Sequence, residues 1–288
     1  MSSSEGSPGF VEHDRIRIVE VRGSDARGWL NDLVTGPIEA LGPEEATRSL
    51  LLTPTGRIRA DFTVGDPGDG STLVLLQDAD QPDAVDALLA PYVLSSDVEL
   101  SDASVRLVVF SVLGVEETPV VSEGIRVLAP SMLGPGFDFL LDRSTAPKVA
   151  RSLSSSMPAA DAESLERWRV ESGLALFGTD YEPGALPAEA GLESAIDFTK
   201  GCFLGQESVA KVRNLGHPQT TLLALQAQTD VGRGDGVYAD TAEVGTITSA
   251  AVANGGTILL ARVRWDASRE ALSLGNGTPL EPRSLNGA

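Results

Sequence analysis

The chain is predicted to be α+β, on three observations. Between Arg15 and Leu141 short apolar runs bounded by turn signals read as strands, a few capped helical stripes interrupt them, and beyond His217 helix signals vanish while turn signals recur. The C-terminal part is therefore expected to be a small antiparallel barrel or sandwich. At 288 residues, 42% of them hydrophobic, the chain can bury a large core in two or three subdomains.

Taken in order, Arg15 to Arg22 alternates as a strand. Ser24 or Asp25 is then placed to cap a helix that sets Trp29, Leu30, Leu33 and Val34 on one stripe, and Gly36-Pro37 ends it. Ser49 to Thr53 and Arg57 to Val64 read as a hairpin around Pro54-Thr55-Gly56, since proline at the second and glycine at the fourth turn position suit a type I turn. A strand at Ser71 to Gln77 precedes a helix opened by Asp80 and Pro82 and running to about Ala90. Strands follow at Val105 to Leu113, Gly124 to Ala129 and Phe137 to Leu141, and then a helix near Pro147 to Leu153.

Ser152 to Pro158 has the composition of a linker. After it, Asp161 caps a helix with Leu165 and Trp168 on its inner face and Gly173 at its end. Glu171 falls near that C-terminus, where the helix dipole disfavours a carboxylate; a solvated surface glutamate is the default reading and a specific partner the alternative. The Pro- and Gly-rich stretch Tyr181 to Gly191 reads as a loop carrying Glu189. The final strands are expected at Thr220 to Gln226, Gly236 to Ala239, Glu243 to Val252, Gly256 to Val263 and Leu272 to Leu274, with Asn254-Gly255-Gly256 as a hairpin turn.

Charge and cysteine count narrow the function classes. A net charge of −19 repels nucleic acid and anionic membrane surfaces. One cysteine, Cys202, excludes an intrachain disulfide and a self-contained zinc or iron–sulfur site of cysteine type, so no metal site is expected. The first ten residues lack a basic start and an apolar core and are read as a flexible tail. No apolar run approaches the roughly 20 residues of a membrane span, and a cytoplasmic monomer is expected. A cysteine–histidine hydrolase needs an imidazole, and only His13 and His217 are present, the latter before Pro218 in an apparent linker.

The scarcest residues gather in Lys200-Gly201-Cys202-Phe203-Leu204-Gly205-Gln206-Glu207, which holds the one cysteine and the middle of the three lysines, with Lys211 just beyond. A short helix is predicted from Gly205 to Arg213, closed by Asn214 and Gly216. Cys202 would then precede a helix N-terminus with Lys200 two residues away, a setting that favours thiolate over thiol and suits a nucleophile or metal ligand. A small buried hydrophobe is the alternative for a lone cysteine. Lys211 is expected to pair with Glu207, one turn before it.

This run resembles the signature of the YgfZ family, K-G-C-[FY]-x-G-Q-E, at eight consecutive positions. Further stretches are similar, among them Arg22-Gly23-Ser24-Asp25-Ala26, Leu52-Thr53-Pro54-Thr55-Gly56-Arg57-Ile58, Gly178-Thr179-Asp180 and Leu186 to Leu192, so that the likeness covers about residues 15–265. The resemblance implies a cloverleaf like that of the glycine-cleavage T-protein: two mixed α/β subdomains and a C-terminal antiparallel β-barrel. Mapped here, a tail at 1–10 precedes a folate-binding subdomain from 11–48 and 155–216, a second subdomain at 49–154 and a barrel at 217–288.

It also implies tetrahydrofolate, or a one-carbon derivative, as cofactor, and iron–sulfur client or assembly proteins as partners. Glu171 and Glu189 would accept from pterin donors. Lys200 or Arg213 would hold the glutamate tail, Gln206 would join the cofactor site, and Cys202 with Lys200 would carry the chemistry. The implied role is a folate-binding accessory factor in iron–sulfur cluster assembly or repair, in which Cys202 takes part in thiol chemistry or gives one ligand to a cluster completed by a partner. A T-protein-type aminomethyltransferase is the alternative. Two departures stand out: Asn214 to Thr221 lacks the family's Arg-Gly step and following arginine, and the transferase's catalytic aspartate has no convincing match near Tyr92 to Asp102, where Asp97 and Asp102 flank strands.

Overall fold

A computed structural model describes residues 9–119, 125–253 and 255–284. The expected tail therefore lies mostly outside the described residues, as do Gly124 and Asn254, and Phe10 is buried and opens a strand. The chain forms two units: Met1–Thr53, Arg59–Ala160 and Ala195–Gln206 make the first, Pro54–Ile58, Asp161–Ser194 and Glu207–Ala288 the second.

The first unit stacks two sheets between helices. Its elements are β1 (Phe10–His13), β2 (Ile16–Arg22), α1 (Ala26–Leu33), β3 (Ala46–Leu52), all but the first residue of β4 (Ile58–Gly65), β5 (Thr72–Asp78), α2 (Val85–Leu89), β6 (Glu99–Asp102), β7 (Leu107–Leu113), β8 (Arg126–Leu128), β9 (Gly136–Asp142) and α3 (Ala146–Ser154). One sheet has the order β3-β4-β5-β2-β6, the other β1-β7-β9-β8. Period-two alternation sorts the side chains. Val19 and Val21 of β2 and Leu73 and Leu75 of β5 face Leu30 of α1 and Leu88 of α2. Ile18, Val74 and Leu76 face Val109 and Leu140 of the other sheet, whose far side, Phe110 and Phe139, packs on Val149 and Leu153 of α3.

Two expectations about helix starts change. Asp25 occupies the N-cap of α1 but caps nothing with its side chain, because its Oδ2 accepts from the Asp97 N–H at 2.8 Å. Asp97 in return accepts from the Ser24 N–H and Oγ–H, so both candidate caps join the helix start to the segment before β6. The helix expected from Asp80 begins only at Val85. Gln77 accepts from the Val85 N–H and Gln81 donates to the Asp61 carbonyl, and these amides hold residues 78–84 in an irregular turn.

Polar groups also enter the layer between the sheets. Asp138 is fully buried and accepts from the hydroxyls of Ser111 and Ser131 at 2.6 Å each and from the Met132 N–H at 2.7 Å. Ser111 gives its proton to Asp138, so it accepts from Nε2–H of His13, 2.8 Å away. Burial pushes Asp138 up to about 6, against the three hydrogen bonds, and pushes His13 down to about 4, against the charge of Asp14. Folded Asp138 thus keeps a proton that the unfolded carboxyl has lost, and its contribution to stability falls as pH rises from about 4 to 6. His13 runs the other way: the unfolded imidazole takes up a proton below about 6.5 while the folded one stays neutral to about 4, so stability falls as pH drops through that range. The two slopes oppose each other, and Asp138→Asn is expected to expose the histidine slope. Urea midpoints between pH 4 and 6.5 check this; parallel profiles for variant and wild type would reject it.

The second unit holds α4 (Ala162–Glu171), all but the first residue of α5 (Gln206–Leu215), and β10 (Thr220–Ala227), β11 (Gly236–Ala239), β12 (Ala242–Ala253), β13 (Gly256–Arg264), β14 (Leu272–Leu274) and β15 (Pro279–Pro282). These strands close an antiparallel barrel, β10-β13-β12-β11-β14-β15, around Leu225, Val237, Ile247, Leu259, Val263 and Leu280. The closing strand β15 has too few apolar residues to stand out in the sequence. Asp161 does cap α4, accepting from the Ser164 N–H at 2.8 Å. The helix buries Val170 against Ile258 and Leu260 on the outside of the barrel, together with Arg169, whereas Leu165 and Trp168 are only half-buried.

Candidate functional site

The segment that carries the thiol is laced to the end of α1. Thr35 Oγ donates to the Ala195 carbonyl at 2.7 Å, and the Asp197 N–H donates to the Thr35 carbonyl at 3.0 Å. Lys200 then sends its ammonium to three backbone oxygens beyond the last turn of α1 or within it: Asn31 at 2.5 Å, Val34 at 2.6 Å and Gly36 at 2.7 Å. Carbonyls at a helix C-terminus lack intrahelical donors and carry the negative dipole end, so a cation there is stabilised twice. The ammonium also lies 5.3 Å from the centroid of the Phe203 ring. Burial pulls its pKa down to about 8, although Asp197, Asp32 and Glu39 act in the opposite direction. Phe203 is buried and Leu204 packs against the core beneath α1, which fixes the segment on the other side of the cysteine.

Cys202 is exposed between these anchors. It is not at the start of α5: the turn at Leu204-Gly205 intervenes and the helix begins at Gln206, with Gly205 at φ +83°. The Lys200 ammonium is directed at the carbonyls of Asn31, Val34 and Gly36. Gln206 is half-buried as the first residue of α5.

The other candidates belong to the second unit. Glu189 is half-buried and accepts from the Leu186 N–H at 2.9 Å through Oε2, while among the described residues Oε1 accepts no hydrogen bond. Glu171 ends α4, and the guanidinium of Arg283 lies in its field but donates to the backbone carbonyls of Val170 and Glu171, at 2.7 and 3.0 Å, and not to the carboxylate. Nothing in the sequence marked Arg283, which follows the last strand. Arg213 is exposed on the last turn of α5, and Lys211 pairs with Glu207 at 2.6 Å as its spacing implied. Near the start of α5, Gly56 has φ +75°, and a Cβ there would meet Ser208 and Val209 side chains at 3.0 Å, so the hairpin tip needs glycine for space as well as for its turn.

Asp180 is the residue whose role the sequence left unread. It is fully buried and accepts from Arg169 at 2.7 Å, from the Leu176 N–H at 2.9 Å and from the Thr248 and Ser249 hydroxyls at 2.6 Å each, joining α4, the following loop and β12. Asp97 is taken up by Ser24 at the start of α1, and Asp102 is held in a local turn by the Ser104 N–H. His13 bonds Ser111, and His217 stacks on Trp265 with centroids 4.1 Å apart. Among the described residues no group of three or more His, Cys, Asp or Glu side chains is arranged to hold a metal, and no helix is long and apolar enough to cross a membrane.

Two stacked sheets with few helices, followed by a closed six-stranded barrel, define the class: this is the fold of the glycine-cleavage T-protein. The solved aminomethyltransferase T of Bartonella henselae superposes with a TM-score of 0.80 over 96% of this chain and 85% of its own, at 18% identity. Residues 6–126 match the GCVT N-terminal domain. An aminomethyltransferase of Nostoc is 25% identical over 80% of this chain and 69% of its own length. The tRNA-modifying protein YgfZ of Yersinia enterocolitica is 24% identical over 78% and 73%, and the mitochondrial iron–sulfur cluster assembly factor IBA57 homologue of Mycosarcoma maydis is 27% identical over 72% and 54%. The chain is a YgfZ-like member of the superfamily of the glycine-cleavage T-protein.

Proposed function

We propose that this protein binds tetrahydrofolate and supports the assembly or repair of iron–sulfur clusters, with Cys202 as its functional thiol. The observation that carries the reading is the exposure of the one cysteine on a segment pinned at both sides, by Lys200 and by Phe203 and Leu204. An exposed sulfur gains nothing from burial, which removes the reading of Cys202 as a small core residue. A lone thiol can give one ligand to a cluster whose other ligands come from a partner. The Yersinia and Mycosarcoma relatives support this direction, and the aminomethyltransferase relatives favour the alternative of one-carbon transfer, which needs folate but no thiol.

For folate, Glu189 offers a carboxylate oxygen without a partner among the described residues, suited to an N–H donor of the pterin, and Glu171 is the second acceptor. The protons of Lys200 are already donated to backbone carbonyls, which gives Lys200 a different part, and Arg213, exposed on the last turn of α5, is the candidate for the glutamate tail. Gln206 stays in the cofactor site as an amide. Calorimetric titration with tetrahydrofolate and folinic acid tests the reading: binding tighter than about 1 mM, or roughly 4 kcal/mol, is expected. Glu189→Gln is expected to weaken it more than Glu171→Gln, whose carboxylate shares the field of Arg283. No heat with either ligand would reject folate binding, and equal affinities in all three proteins would reject the residue assignment.

A further inference from the structure

We infer that Lys200 is a positioning residue: its ammonium fills a three-carbonyl nest at the end of α1 and thereby holds the Cys202 segment in place. The inference rests on the proposed role of Cys202 for its functional consequence, though not for the geometry. Three acceptors, the carbonyls of Asn31, Val34 and Gly36, converge on one nitrogen at 2.5 to 2.7 Å, which matches the three protons of an ammonium. A planar guanidinium directs its donors outward as a fork and cannot satisfy three oxygens around one point. Lysine at this position is thus selected by shape as well as by charge.

The surroundings support a clamp and not a surface pairing. Asn31, Val34 and Gly36 are buried, and Asn31 adds its side-chain oxygen at 3.5 Å from the ammonium. The strand-like exit from α1 is held at the same place by Thr35, which bonds Ala195 and Asp197 on the opposite segment. Lys200 is the last of these ties before Cys202, and Gly201 between them has no atom within 4 Å of where a Cβ would stand. Without the ammonium, the chain around Cys202 would be held on one side only, where Phe203 and Leu204 pack against the core.

Hydrogen exchange by mass spectrometry on the full chain tests this. Lys200→Met and Lys200→Arg are each expected to raise exchange of amides in residues 196–206 by tenfold or more, while protection in β10, β12 and β13 stays within twofold of wild type. A role in global stability alone would instead raise exchange throughout the first unit in parallel, and a role of charge alone would leave Lys200→Arg like wild type; either result overturns the nest. In Lys200→Ala, added ammonium or methylammonium chloride is expected to restore protection of the segment, with sodium chloride and tetramethylammonium chloride as controls that do not. Should exchange respond as expected while Cys202→Ser keeps full function, the clamp stands and the thiol reading fails, so the two are separable.

Discussion

Asp180→Ala is expected to destabilise the second unit by about 3–5 kcal/mol, the loss typical of removing one member of a buried ion pair. The carboxylate is fully buried and is the point where Arg169, the Leu176 N–H and the Thr248 and Ser249 hydroxyls meet. Alanine would leave the Leu176 N–H and the Ser249 hydroxyl without their acceptor and Arg169 without its buried countercharge, and unsatisfied buried polar groups cost more than the bond was worth. Burial works to lower the pKa of Arg169, and Glu166 followed by Asp180 overcomes it and holds the guanidinium raised. Glu166 is 42% exposed and cannot replace Asp180 inside. Combining Asp180→Ala with Arg169→Met is expected to recover part of the loss, because the charge left unpaired is then absent. Denaturant midpoints and slopes for the three variants measure this; a single-variant loss below about 1 kcal/mol would show that the network is not what joins α4 to the barrel.

Cys202→Ser is the second large effect, and it is expected in function with little change in stability. An exposed residue away from caps and core typically changes stability by less than about 0.5 kcal/mol, so the unfolding curve and folate titration should match wild type. Serine keeps the size and loses the soft thiolate that a cluster or a thiol partner requires. Complementation of cells that lack their native counterpart, scored by the activity of an iron–sulfur enzyme, is expected to drop to the level of an empty vector. Full complementation would eliminate the thiol role and favour the aminomethyltransferase alternative, for which the fold is equally suited.

The α+β class, the C-terminal all-β region and the signature around Cys202 were legible because each rests on local pattern: alternation in β2, continuous apolar runs in β5 and β7, hairpin signals at Gly56 and Gly255, and eight contiguous signature residues. The cap of α4 by Asp161 and the Lys211–Glu207 pair were legible for the same reason, since donor and acceptor lie within four residues of each other. Local pattern misled where a distant group competed. Asp25 turns from its helix to accept from the Asp97 N–H, and α2 is delayed because Gln81 donates to the Asp61 carbonyl and Gln77 accepts from the Val85 N–H.

What the sequence determined by itself was therefore which residues had chemistry to offer: a single thiol, a scarce lysine beside it, and carboxylates in loops. What each does was decided by tertiary structure. Lys200 is 169 residues from Asn31, Asp180 is 69 from Ser249 and Arg283 is 112 from Glu171. Backbone carbonyls at a helix end carry no trace in the sequence of the cation that will satisfy them, since every residue has the same carbonyl. Only the packing of α1 against the thiol segment, and of α4 against the barrel, brings a charge to those oxygens and excludes the water that would otherwise compete for them.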